Sequence, residues 1–137
     1  MTPTQQPATK DEFERVMREA LLRTQFQPIV SVGSRQAAGY EASVRGPAGS
    51  TLESPDALID EAYRQHRVVE FDWLARATAS RTALASGMST DEMLFLNIEP
   101  LALETTCPPV LWPVIEETFH KVQSRPRGHG SFARSRP

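Results

Sequence analysis

The stretch Ala37-Ala-Gly-Tyr-Glu-Ala-Ser-Val-Arg45 has the pattern of a β-strand that carries a carboxylate, Glu41, and a guanidinium, Arg45, two pleats apart on one face. A second strand-like run rich in β-branched residues precedes it over 26–32, and Gly33-Ser34 between the two predicts a turn. We therefore expect the two runs to form a hairpin-like pair of strands.

Helical patterns lie on both sides of this pair. Thr9 with Glu12 is a capping-box pattern, and it opens a helix that we expect to end at Arg23-Thr24. The apolar residues of this helix recur at helical spacing, as Phe13, Val16, Met17, Ala20 and Leu21. Ser54-Pro55 predicts a second helix start, with Leu58, Ile59 and Ala62 on its buried face. A third helix is predicted from about Val69 to Ser86, with Leu74, Ala77 and Leu84 inward and Gly87 as its stop.

The next apolar run, Met93 to Ile98, is short and nearly continuous, which predicts a strand buried on both faces. Residues 112–122 again have a helical pattern. Strands that alternate with helices indicate an α/β protein with a parallel sheet.

Size and charge limit the class of protein. The 137 residues suffice for one domain, and the hydrophobic fraction of 39% is near that of globular proteins. A net charge of -2 argues against a general nucleic-acid binder, and no apolar run approaches the roughly 18 residues of a membrane span. The polar N-terminus has no secretory signal pattern. A single cysteine, Cys107, fits a reducing compartment, so we expect a cytoplasmic protein.

Three residues are candidates for ligand binding, and each has a structural alternative. Glu41 could coordinate a cation, or it could be an exposed edge carboxylate or pair with Arg45. Arg45 could bind a phosphate through two hydrogen bonds, or it could be a solvated strand-end arginine. Asn97 interrupts an apolar strand, where its carboxamide could bind a hard metal ion or hydrogen-bond to local backbone.

In combination these stretches resemble a known family. Phe26-Gln-Pro-Ile-Val30 followed by Gly39–Arg45 is similar to the opening of the EAL domain of bacterial cyclic di-GMP phosphodiesterases. The helix after Ser54-Pro55, the stretch Phe71-Asp-Trp73 and the strand Leu94-Phe-Leu-Asn-Ile98 resemble its next motifs in order. The resemblance makes 11–123 a partial EAL domain.

The resemblance implies a fold and a site. The fold would be α/β, the N-terminal half of an EAL-type (β/α)8 barrel and therefore incomplete, since a whole barrel takes about 250 residues. Glu41 and Asn97 would be metal ligands for Mg or Mn, and Gln27 and Arg45 would contact the substrate, cyclic di-GMP. The family hydrolyses this dinucleotide to linear pGpG with two cations.

This sequence also departs from the family pattern. Ser43 stands in place of the motif's leucine, Tyr63 in place of an acidic residue and Glu99 in place of a serine. The family's later carboxylate and lysine motifs have no match here, so the resemblance implies a truncated domain that does not hydrolyse the dinucleotide. The alternative is a non-catalytic module that binds cyclic di-GMP or another protein, with a second copy or a missing C-terminal half as partner.

The two ends of the chain have a different composition. Residues 1–10 are polar and predict a disordered lead-in, and the Arg-rich segment 124–137 has too few apolar residues to bury a face. Codons for Arg125 to Gly130 can be chosen that read Val-Leu-Glu-Val-Thr in the next frame, which resembles the missing family motif. We therefore interpret the tail, as a hypothesis, as a frameshifted translation; the alternative is a genuine basic tail.

Overall fold

The computed structural model describes residues 10–88, 91–113 and 115–117. In chain order these residues form three helices and three strands, followed by two short 3-10 turns, Pro100–Ala102 and Pro109–Leu111. The elements are α1 (Lys10–Arg18), β1 (Arg23–Val30), β2 (Ala37–Arg45), α2 (Pro55–Arg64), α3 (Val68–Ala85) and β3 (Met93–Leu96).

The three strands form one mixed sheet in the order β1-β2-β3. β1 and β2 are the antiparallel pair expected from the sequence, with Gln27 opposite Glu41, and β3 lies parallel to β2 with Phe95 opposite Glu41. β1 starts and ends earlier than the predicted run 26–32, and Val32 is 96% exposed beyond its end. Gly39 allows the close approach of β2 to β3, since a Cβ there would lie 2.5 Å from the carbonyl oxygen of Met93.

The helix ends are set by backbone geometry. α1 ends at Arg18, so the predicted end at Arg23-Thr24 is wrong. Ala20 adopts a left-handed conformation with φ 51°, and the Leu21 amide donates to the Val16 carbonyl at 2.9 Å, which is a Schellman ending. Gly87 ends α3 in the predicted way with φ 80°.

At the start of α2 the predicted cap is present. The Ser54 hydroxyl accepts a hydrogen bond from the Ala57 amide at 3.2 Å, and Pro55 occupies the first helical position. The cap fixes where α2 begins and therefore which of its faces meets the rest of the chain.

The core lies where the helices pack together on one side of the sheet. The apolar faces predicted for the helices are confirmed for most positions, although Ala20 is exposed and Leu21, Ile59 and Leu84 are only half-buried. The buried apolar cluster consists of Phe13, Val16, Met17, Leu22, Leu52, Leu58, Ala62, Val68, Phe71, Leu74 and Leu111.

The opposite face of the sheet is open. β3 was expected to be buried on both faces, and this expectation is wrong: Met93 is 49% exposed and Phe95 is 43% exposed. A continuous apolar run is typical of a strand that is covered on both faces, whereas the described residues cover β3 on only one face. We refer to the side with Gln27, Glu41 and Phe95 as the open face.

The link from β2 to α2 is held by a cluster around Gly46. Its amide donates to the Glu53 carbonyl at 3.0 Å, and its carbonyl accepts from Nε and NH2 of Arg23 at 3.0 and 2.9 Å. These bonds fix the direction in which the chain leaves Arg45.

Several predictions concern residues outside the described ranges. The lead-in over 1–9, Thr9 of the capping box and the tail over 124–137 lie there, whereas Lys10 belongs to α1 rather than to the lead-in. Residues 112–113 and 115–117 are helical, in agreement with the predicted helix over 112–122, whose remainder is also outside. No helix in the described part of the chain combines the length and apolarity required to cross a bilayer.

Candidate functional site

Two of the predicted site residues meet on the open face. Asn97 follows β3 directly, and its Nδ2 donates a hydrogen bond to Oε1 of Glu41 on β2 at 3.2 Å. The parallel register explains this meeting, because Phe95 lies opposite Glu41 and Asn97 is the next residue on the same face. Both side chains are exposed, so the buried amide expected at Asn97 is not what forms.

Gln27 lies on the other side of Glu41. It is the antiparallel partner of Glu41 on β1 and is likewise exposed on the open face. Gln27 on β1, Glu41 on β2 and Asn97 just after β3 therefore lie on the same face of the sheet, with Glu41 between the other two. All three present polar groups to the same solvent-accessible surface.

Arg45 lies at the C-terminal end of β2, about 13 Å along the strand from Glu41 at ~3.3 Å per residue. It is half-buried, and its Nε is buried with no hydrogen-bond partner among the described residues. Its cross-strand partner is Arg23. Arg23 is occupied by the Gly46 carbonyl and by Glu53, so an anion near Arg45 would satisfy the unpaired donor of Arg45.

The donor set of Glu41 and Asn97 is compatible with a hard cation. Carboxylate and carboxamide oxygens are ligands for Mg²⁺ and Mn²⁺, but the contact seen here uses the amide nitrogen of Asn97. To bind a cation together with Glu41, the Asn97 amide must turn about χ2 so that Oδ1, in place of Nδ2, faces the cation beside the carboxylate. Within the described ranges, no three His, Cys, Asp or Glu side chains converge as a metal cluster.

A polar network behind β3, centred on the buried carboxylate of Asp72, is a site feature that the sequence analysis does not predict. The Glu99 amide donates to Oδ1 of Asp72 at 2.8 Å, and the Tyr63 hydroxyl donates to Oε2 of Glu99 at 2.9 Å. Asp72 is on α3, and its Oδ2 lies 2.6 Å from NH2 of Arg76 in an ion pair. A signal was present in the sequence, since Asp72 and Arg76 are four residues apart in an otherwise apolar helical stretch.

The pKa values of Asp72 and Tyr63 are shifted by different causes. Desolvation raises the pKa of Asp72 above its usual value, although the Glu99 amide and Arg76 act in the opposite direction. The hydrogen bond to the Glu99 carboxylate raises the pKa of the Tyr63 hydroxyl, which keeps Tyr63 a donor. Asp72 thus interacts with both a backbone amide and a cation that favour its charged form.

The Arg76 side chain is itself held in place. Its guanidinium lies 3.8 Å from the centroid of the Trp73 ring, and Trp73 Nε1 donates to Oγ1 of Thr105 at 3.2 Å. A cavity of about 90 Å³ separates this part of α3 from the sheet, and Asp72, Arg76, Asn97 and Glu99 are among its lining residues. The site on the open face and the network behind it therefore meet at the residues that follow β3.

Comparison with known proteins identifies the architecture. No known family profile matches the sequence and no curated protein matches it. The EAL domain of Xanthomonas citri FimX in complex with c-diGMP is similar over 80% of this chain, with 19% identity and a TM-score of 0.60. A standalone EAL protein of Vibrio cholerae O395 in its c-di-GMP-bound form is similar over 74%, with 27% identity and a TM-score of 0.56. The FimX EAL domain of Pseudomonas aeruginosa bound to c-di-GMP is similar over 85%, with 19% identity and a TM-score of 0.57.

The chain matches only part of each of these solved proteins. This chain covers 42%, 40% and 46% of the three solved chains, less than half of each. The mixed three-stranded sheet and its helices correspond to part of the EAL (β/α)8 barrel, which confirms the fold class predicted from the sequence. The described part of the chain has the fold of part of an EAL domain.

Proposed function

We propose that this chain is a cyclic di-GMP module related to the EAL phosphodiesterases and that it binds the dinucleotide on its open face. The observation that carries the proposal is the contact of Glu41 with Asn97 at 3.2 Å, on the exposed side of the sheet. The unpaired Nε of Arg45 supports a phosphate contact at the C-terminal end of the same strand. The similar solved domains carry c-di-GMP in their structures. The single Cys107 supports a cytoplasmic setting.

Each side chain has a definite part in this proposal. Glu41 and Asn97 would hold one Mg²⁺ or Mn²⁺, which when bound polarises a phosphodiester oxygen. Arg45 donates to a phosphate oxygen, and Gln27 donates or accepts a hydrogen bond at the edge of the ligand. Glu41 supplies a negative charge that attracts the cation, and Asn97 adds a neutral oxygen ligand.

We infer that the chain does not hydrolyse cyclic di-GMP by itself. Glu41 and Asn97 supply two ligands, whereas a pair of cations that stabilises the attacking and leaving oxygens requires a larger set. The proposal therefore separates binding from turnover. Metal-dependent formation of linear pGpG by the purified chain, lost in Glu41→Ala, would contradict the inference about turnover and would identify an active phosphodiesterase.

Binding is tested through Arg45. Arg45→Ala is expected to weaken cyclic di-GMP binding in Mg²⁺ buffer by about tenfold or more, because a charge-assisted hydrogen bond contributes ~1.5–3 kcal/mol. Isothermal titration calorimetry on the folded variants measures the dissociation constants. Arg81→Ala, which removes an exposed arginine on α3, is the matched control. Equal affinities of the two variants, or no binding by the wild type, would overturn the proposed function.

A second candidate function is assembly with another polypeptide. The open face exposes Ile29, Met93 and Phe95 at 38%, 49% and 43%, and β3 is an edge strand of the sheet. We infer that the partner supplies further strands of an EAL-type barrel, because the solved domains have more than half of their length outside the part that this chain matches. A second copy of the chain is the alternative occupant.

Sedimentation distinguishes these partners. Mixed with the part of the Vibrio cholerae EAL protein that lies outside the match, the chain is expected to form a one-to-one complex. Phe95→Glu should abolish this complex by placing a charge on the open face, whereas Val32→Glu, at a residue 96% exposed beyond β1, should leave it intact. A homodimer that Phe95→Glu disrupts would indicate the second copy instead. A chain that sediments as a monomer both by itself and in this mixture would refute the assembly function.

A further inference from the structure

The residues that follow β3 are held from one side by the strand and from the other by α3. The parallel pairing of β3 with β2 ends at Leu96 opposite Ala42, so Asn97 is the first residue beyond it. Two residues later the Glu99 amide donates to Oδ1 of Asp72 at 2.8 Å. The end of β3 on one side and the buried carboxylate of Asp72 on the other therefore fix the direction of the backbone at Asn97.

Asp72 is a rigid attachment point. Its side chain is only 4% exposed, and it lies on the long helix α3 in an ion pair with Arg76 at 2.6 Å. The Arg76 side chain is 16% exposed and stacks on the Trp73 ring at 3.8 Å. A carboxylate at this depth is costly to bury unless it is paired and hydrogen-bonded, so its position is tightly specified.

The segment has a second attachment. The Tyr63 hydroxyl, from α2, donates to the Glu99 carboxylate at 2.9 Å. The main chain of Glu99 is thus tied to α3 and its side chain to α2. Ligand groups are held accurately when the residues around them are locked by packing and hydrogen bonds, and a missing bond of this kind displaces them.

We propose that Asp72 is a positioning residue for the Glu41–Asn97 pair: by accepting the Glu99 amide it fixes the backbone after β3 and keeps Asn97 within reach of Glu41. Tyr63 is the weaker second attachment of the same segment, since it holds the side chain of Glu99 rather than the main chain. The inference rests on the proposed function, because the residues that Asp72 positions are the proposed cation ligands.

The test separates positioning from general stability. Asp72→Ala removes the acceptor, whereas Asp72→Asn keeps an oxygen that can accept the Glu99 amide. Asp60→Ala, at an exposed carboxylate on α2, is the matched control. In ¹⁵N-labelled protein, the two Asn97 side-chain amide signals, assigned by their loss in Asn97→Asp, report the bond to Glu41 without any ligand.

We expect Asp72→Ala to move these signals to the positions seen in Glu41→Ala, where the bond is absent. Asp72→Asn and Asp60→Ala should leave them near the wild-type positions. Affinity for cyclic di-GMP in Mg²⁺ buffer should fall by about tenfold in Asp72→Ala and recover in Asp72→Asn, as for residues that orient metal ligands. Urea unfolding of each variant measures stability separately.

Unchanged Asn97 signals in a folded Asp72→Ala variant would overturn the inference. If this variant does not fold, Tyr63→Phe decides, because it loses only an exposed hydroxyl and should move the signals in the same direction by a smaller amount. Shifted signals together with no dinucleotide binding by the wild type would uphold the positioning role and refute the proposed function. A failure of the positioning inference can therefore be distinguished from a failure of the proposed function.

Discussion

Replacing Phe13 with alanine is expected to lower the free energy of unfolding by about 3–5 kcal/mol. Phe13 is fully buried, its ring lies 6.4 Å from that of Phe71, and the Arg67 guanidinium lies 5.9 Å from its centroid. Truncation would leave a cavity where α1 meets α3 and would remove both ring contacts. Small domains have only about 5–15 kcal/mol of stability, so this single substitution should remove a large part of it.

The matched control is Phe95→Ala. It deletes the same atoms from a ring that is 43% exposed on the open face, so its cost should be clearly smaller than that of Phe13→Ala. Urea denaturation followed by circular dichroism gives both values. Equal losses of stability in the two variants would mean that the cluster around Phe13 is not the main core of the chain.

Gly46→Ala is expected to destabilise the chain by about 1–3 kcal/mol. A Cβ at this position would collide with the carbonyl group of Leu52, which is backbone and has little freedom to move. The shift needed to relieve the collision would strain the bond from the Gly46 amide to Glu53 and the two bonds from Arg23 to the Gly46 carbonyl. It would also displace Arg45, the preceding residue.

Gly33→Ala provides the control for this substitution. A Cβ at Gly33 meets no atom within 4 Å, so the change should be close to neutral or slightly stabilising through the unfolded state. Thermal denaturation of the two variants measures the difference. A Gly46→Ala variant as stable as Gly33→Ala would show that the link from β2 to α2 adapts at little cost.

The elements with a strong local signal could be predicted from the sequence. Phe13, Val16 and Met17 repeat at helical spacing and are buried, and Ser54-Pro55 caps α2 in the expected way. The end of α1 could not be predicted, because a left-handed alanine, Ala20, takes the position at which a glycine would normally be the signal.

The errors in the sheet and the site have a non-local origin. The apolar pattern of Met93 to Ile98 is that of a strand between two layers, and nothing within the strand indicates that the described chain covers only one side. Glu41 and Asn97 are candidates both from their positions on strands and from the family resemblance, but only the register of β2 and β3 brings them together. Asp72 was missed as a site feature because its partner Glu99 is 27 residues away in sequence.

The open edge of β3 has a consequence for the handling of this protein at high concentration. Met93-Leu-Phe-Leu96 contains no charge, and within the described residues it is an edge strand whose outer side pairs with no other strand. Copies of such a segment can stack on one another as a fibre nucleus, without unfolding of the helices. A lysine or a proline at this edge would then raise the solubility of the chain more than any improvement of its core.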